Sequence, residues 1–168
     1  MVEFIVDTNV PLIARGTSHM SLECEENCAT FIERFLRGRQ ILVIDEDYFI
    51  LEEYLREIKT TGPPDYANLF LKWIFNNQAN PHRVKKVKIK QIRENEFEEI
   101  PDPLNNLGID PSDLKFVAAA IANNGKAQIA EASDSKWIGW ERKLTKHRIK
   151  TYFLCKQELN KIFKRKIG

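Results

Sequence analysis

The chain has 168 residues, 43% of them apolar, with 26 basic and 24 acidic side chains. That length suits one domain with a sizeable buried core. No apolar run is long enough to span a membrane, and no basic stretch followed by an apolar segment marks a secretory signal.

"VEFIV" (2–6) reads as a buried strand. Cys28, Phe31, Ile32, Phe35 and Leu36 recur at helical spacing, which predicts a helix over about 20–38, ended by Gly38. "ILVI" (41–44) is a second buried strand. Asp45, Glu46 and Asp47 are then expected to open a helix with Ile50, Leu51, Tyr54, Leu55 and Ile58 on its apolar face. "TGPP" (61–64) breaks it, and a further helix over about 65–78 carries Leu69, Phe70, Trp73 and Ile74. "HRVKKVKIK" (82–90) reads as a short, mostly exposed strand with a basic face. Residues 94–110 read as a loop. In "DPSDLKFVAAAIAN", Asp110 suits the N-cap, Pro111 the first helical position and Asp113 the third. "AQIAEAS" (127–133) is a strand with Asp134 at its end. A helix over 137–146, the strand "TYFLC" (151–155) and a basic terminal helix complete the chain.

Strands alternating with helices predict an α/β layer fold around a mostly parallel sheet. In such sheets ligands sit beyond the carboxyl ends of the strands. Asp7 follows the first apolar run at once, where an isolated carboxylate is costly unless paired or bound to metal. Glu53 in the second helix, Asp113 in a first turn and Asp134 after a late strand complete a set of four acids. Each alone has an ordinary explanation: a capping acid, a helix surface, a side chain bonded to backbone N–H groups. As a set they suit a hard divalent cation such as Mg²⁺ or Mn²⁺.

The pieces "IVDTNV", "ILEEYL", "DLKFVAAA" and "ASDSKW", in this order, resemble the PIN domain family over nearly the whole chain. The resemblance implies a three-layer α/β/α sandwich and a metal-dependent nuclease, most often an endoribonuclease. It makes Asp7, Glu53, Asp113 and Asp134 the catalytic metal ligands, with Glu53 preferred to Glu52. It makes Asn9 and Ser133 supports of the site. Many relatives carry a further Asp two residues after the fourth acid. Lys136 stands there instead, which argues against a full second metal site and offers a phosphate contact. Bacterial members include toxins held by antitoxins, so an antitoxin or other regulatory protein joins RNA as an expected partner, with a homodimer as a further candidate.

Charge is uneven. Residues 1–60 hold 12 acidic and 6 basic side chains, and the last 33 residues hold 11 basic and 2 acidic. Solvated helix faces explain this blandly. A basic rim for a polyanion explains it functionally, with Lys85, Lys86, Lys88 and Lys90 as nucleic-acid contacts alongside Lys136. Cys24, Cys28 and Cys155 are odd in number, which favours free thiols in a reducing cytoplasm. No HxH, HExxH, GxGxxG or GxxxxGK[ST] spacing occurs, so zinc and nucleotide-cofactor sites are not indicated. Trp73, Trp137 and Trp140 are expected in the core rather than stacked on bases. The competing readings are a binding module of the same fold without activity, and a phosphatase, whose second Asp is absent from "DTNVP".

Overall fold

The computed structural model describes residues 1–168. Five parallel strands form a central sheet flanked by helices, a three-layer α/β/α sandwich. The strands are β1 (Glu3–Val6), β2 (Ile41–Asp45), β3 (Val84–Val87), β6 (Ala127–Glu131) and β7 (Thr151–Phe153). Their order is β3-β2-β1-β6-β7, so β1 lies at the centre, paired to β2 and β6. A two-stranded antiparallel ribbon, β4 (Gln91–Arg93) with β5 (Glu96–Phe97), follows β3. The helices are α1 (Asn9–Ile13), α2 (Leu22–Leu36), α3 (Phe49–Glu57), α4 (Tyr66–Asn77), α5 (Asp102–Asn105), α6 (Leu114–Ala122), α7 (Lys136–Lys146) and α8 (Lys156–Ile167).

Local chemistry explains most boundaries. Ser21 caps α2 by accepting from the Cys24 N–H, and Asp65 caps α4 by accepting from the Asn68 N–H. In α6 every residue from Leu114 to Ala120 is buried, as its unbroken apolar run requires. Aromatic side chains bind the layers together. Phe4 meets Phe31 of α2 edge-on at 4.9 Å, and Phe35 touches Phe70 and Trp73 of α4. All three tryptophans are buried.

Several expectations need correction. Asp45 does not open α3. It is the last residue of β2, fully buried, and its carboxylate accepts the N–H groups of Phe49 and Ile50 at 2.9 Å each. Tyr48, in left-handed backbone at φ 65°, supplies no cap of its own. Leu55 is 48% exposed and Leu69 41%, so neither belongs to its helix's buried face. β3 is an edge strand of the main sheet with Val84 and Val87 buried, not a mostly exposed one. Residues 94–110 contain β5 and α5, and α1 lies where the sequence pattern suggests no element. Burying both carboxylate oxygens of Asp45 on helix N–H groups makes it the sole cap of α3. Asp45→Ala is expected to cost about 2 kcal/mol, read as a lower urea midpoint with unchanged m-value.

The cysteines also differ from the expectation of free thiols. Cys24 and Cys155 are joined in a disulfide, with Cα atoms 5.3 Å apart, and only Cys28 is free. The first turn of α2 and the end of the β7–α8 connection meet in the fold, which the odd count does not disclose.

Candidate metal centre

The carboxyl ends of the parallel strands share one edge of the sheet, and acids gather there. Asp7 follows β1 and is buried, its Oδ1 accepting the Asn9 N–H at 3.1 Å. Glu53 projects from α3 towards the same edge. It pairs with the Lys115 ammonium at 2.7 Å and accepts the Thr8 hydroxyl. Glu52, next to it, is exposed. Asp113 ends a short 3₁₀ turn (Pro111–Asp113) just before α6. Asp134 stands in the β6–α7 connection.

Asp110, Asp113 and Asp134 each offer an oxygen, and these lie within 4.8 Å of one another. The sequence suggests Asp110 only as an N-cap, yet its side chain caps nothing. Asp7 and Glu53 are not members of this trio. They border it closely enough to act on it: the Asp113 carboxyl is pushed up to about 8, by burial first, then by Asp7, Asp134, Asp110 and Glu53. Asp7 is pushed up to about 6 by burial, with Glu53 and Asp134 adding to the rise. Burial and neighbouring carboxylates together disfavour the charged form of both acids, as is common where side chains serve a site.

Asp134 does not end β6. Glu131 does, and it is fully buried. Its Oε1 accepts from the N–H groups of Ala132 (3.1 Å) and Asp134 (3.0 Å) and from the Asn9 amide. Its Oε2 is buried with no hydrogen-bond partner. Burial, then the Asp7 charge, hold Glu131 well above the usual carboxylate range. Asn9 Oδ1 also accepts the Ala132 N–H at 3.2 Å. Asn9 and Glu131 together therefore shape the loop that presents Asp134. Ser133 makes no side-chain hydrogen bond, while the neighbouring Ser135 hydroxyl is buried without a partner.

Two lysines enter the cluster. Lys115 is 6% exposed and neutralises Glu53. Lys136 reaches Asp110 at 2.7 Å while its N–H donates to Asp134 Oδ1 at 3.0 Å. The cluster thus has a buried cation on one side and an exposed one on its rim. Sequence reasoning missed Glu131, Lys115 and Asp110. The first two left a signal: an acid closing an apolar run, as Asp7 does, and a charge inside a helix with no polar face.

The four basic residues near β3 are divided. Lys85 pairs with Glu3 at 2.9 Å, and Lys86 donates to the Tyr48 hydroxyl at 2.9 Å. Lys88 and Lys90 are exposed and follow β3 at the acid-bearing edge, Lys90 lying 3.5 Å from Glu98. A cavity of about 550 Å³ lies between the β4–β5 ribbon and the turn bearing Asp113, lined by Phe97, Ile109, Pro111 and Leu114 among others.

The donor set suits the expected ion. All ligands are hard carboxylate oxygens, and the trio's spacing lets one cation contact three of them. The fold and site define an α/β protein with a carboxylate cluster at the carboxyl edge of a parallel sheet. Comparison with known protein families, curated proteins and solved structures returns no match for the chain.

Proposed function

We propose that the chain is a PIN-like, Mg²⁺- or Mn²⁺-dependent nuclease that hydrolyses phosphodiester bonds in RNA. One observation carries this reading: Asp7, Glu53, the Asp110–Asp113 turn and Asp134 come from four separate segments and converge at one edge of the sheet, with Asp7 and Asp113 held above the usual carboxylate range. Asp110, Asp113 and Asp134 would hold the ion, with Asp7 beside them. When bound, such an ion lowers the pKa of water and stabilises charge on the departing oxygen. Glu131 and Asn9 hold the Asp134 loop in place. Lys115 balances the Glu53 charge without a metal partner. Lys136 and, further along the edge, Lys88 and Lys90 provide positive charge for the phosphate backbone. A cytoplasmic setting and control by an antitoxin-like protein belong to the same reading, as does a homodimer.

The pairing of Glu53 with Lys115 and of Asp110 with Lys136 favours a second reading, a binding module whose metal site is weak. Labelled RNA and DNA panels with and without Mn²⁺ separate the two. RNA cleavage that requires Mn²⁺ supports the nuclease. RNA binding without cleavage at saturating metal supports the module, and neither binding nor cleavage sinks both. Lys88→Gln with Lys90→Gln is expected to flatten the log–log salt dependence of RNA binding by about 1.4, the slope of two single-strand phosphate contacts.

A further inference from the structure

Away from the acids, three sulfurs converge. Cys24, Cys28 and Cys155 lie within 4.8 Å of one another, sulfur to sulfur, and all are buried. Cys24 lies in the first turn of α2, a helix of 15 residues, and Cys155 is the N-cap position of α8, a helix of 12. A helix N-terminus favours a thiolate over a thiol. Two such termini therefore face each other across the Cys24–Cys155 bond. Cys28 differs. Its thiol is pushed up to about 12 by burial and by the Glu131 and Glu25 charges, which leaves it protonated and unreactive.

Cys24 and Cys155 are only 1% and 6% exposed, but both border one cavity. It measures about 260 Å³ and is lined by Ser21, Cys24, Asn27, Cys155 and Lys156. The two helix ends are also tied without it: the Ser21 N–H and hydroxyl donate to Glu158, and the Asn27 amide donates to the Leu154 carbonyl. Breaking the sulfur bond leaves those ties in place, so the two thiols stay close enough to re-form it.

We propose that Cys24 and Cys155 form a reversible thiol–disulfide modification site for small disulfides and thiols of the glutathione class, with Cys28 held aside as a thiol. In oxidation, the Cys155 thiolate attacks one sulfur of the small disulfide, and one small thiolate leaves. The Cys24 thiolate then attacks Cys155 sulfur in the mixed disulfide, and the second small thiolate leaves. Two electrons pass from the protein to the small disulfide, and the two protons lost by the cysteines end on the two small thiols. Reduction reverses both steps. None of this chemistry needs nuclease activity.

The test uses the full chain equilibrated with glutathione at graded ratios, then denatured, alkylated and mapped by mass spectrometry. One alkylated cysteine, Cys28, is expected at the oxidised end and three at the reduced end, with a smooth transition that runs alike in both directions. Cys28→Ser should leave the bridge and its midpoint unchanged, and Cys155→Ser should abolish the bridge. The proposal is overturned by three free thiols at the oxidised end, by a bridge that contains Cys28, or by a bridge that survives a large excess of reduced glutathione in the folded protein. It is also overturned if the reduced protein takes up zinc one to one and then resists oxidation.

Discussion

Asp7→Asn is expected to abolish metal-dependent hydrolysis while making the metal-free protein more stable. The substitution keeps the shape and the acceptor for the Asn9 N–H, but removes one charge from the heart of the cluster. Losing about 4 kcal/mol of metal-derived transition-state stabilisation would lower the rate by about 10³-fold. The stability gain follows from linkage. Asp7 and Asp113 rise in the folded state from 3.8 to about 6 and about 8. A raised acid contributes stability that is fully present below its unfolded pKa and is lost as pH rises through its folded pKa. In the metal-free protein this loss should run from about pH 4 to about pH 8. At pH 8 Asp7→Asn should therefore recover about 3 kcal/mol, since a tenfold change in proton affinity is worth about 1.4 kcal/mol and the rise spans about two such steps. Its stability should also depend less steeply on pH. Thermal melts of both proteins at pH 5 and pH 8 with chelator read this directly. Equal cleavage by the variant would show that Asp7 does not serve the active site, and an unchanged pH slope would show that burial and its neighbours do not raise its carboxyl.

Lys115→Met is expected to produce the largest loss of stability. The methionine fills a similar volume on α6 but leaves Glu53, whose side chain is only 13% exposed, without its cation among other acids. Removing one partner of a buried ion pair typically costs about 3–5 kcal/mol. The loss should shrink when the pH is lowered, as the acids around Lys115 gain protons, and when Mn²⁺ is added, because a divalent cation replaces the missing charge. Denaturant unfolding with chelator and with Mn²⁺ tests both. A variant as stable as its parent in chelator would mean that Lys115 does not balance the cluster. A loss that Mn²⁺ leaves untouched would place Glu53 outside the reach of the ion.

Much of the architecture was legible because it rests on local chemistry. The apolar runs of β1 and β2, the Gly-Pro break after α3 and the continuous apolar face of α6 each have a near-neighbour cause, so the α/β layer class followed from their alternation. The burial of the Asp7 carboxylate was legible for the same reason: an acid directly after a buried run demands a partner wherever the strand goes. The partner itself was not legible. Extending β6 to residue 133 gave the strand-end role to Asp134, whereas the strand stops at Glu131, and in a parallel sheet that difference decides which acid meets Asp7. Glu52 and Glu53 both lay at the edge of a helix face, and only the packing of α3 beside α6 turned Glu53 towards Lys115.

By itself the sequence determined the elements, the burial of their apolar faces and the presence of acids at the turns, because these depend on residues a few positions apart. Only the tertiary structure decided that Asp110 completes a trio with Asp113 and Asp134, that two lysines share the cluster, and that Lys85 is taken by Glu3. It alone joined Cys24 to Cys155 across 131 positions of chain. Periodicity reports which side of an element is buried, but charge balance and sulfur pairing depend on which ends meet, and that is set by sheet order and by where each strand stops.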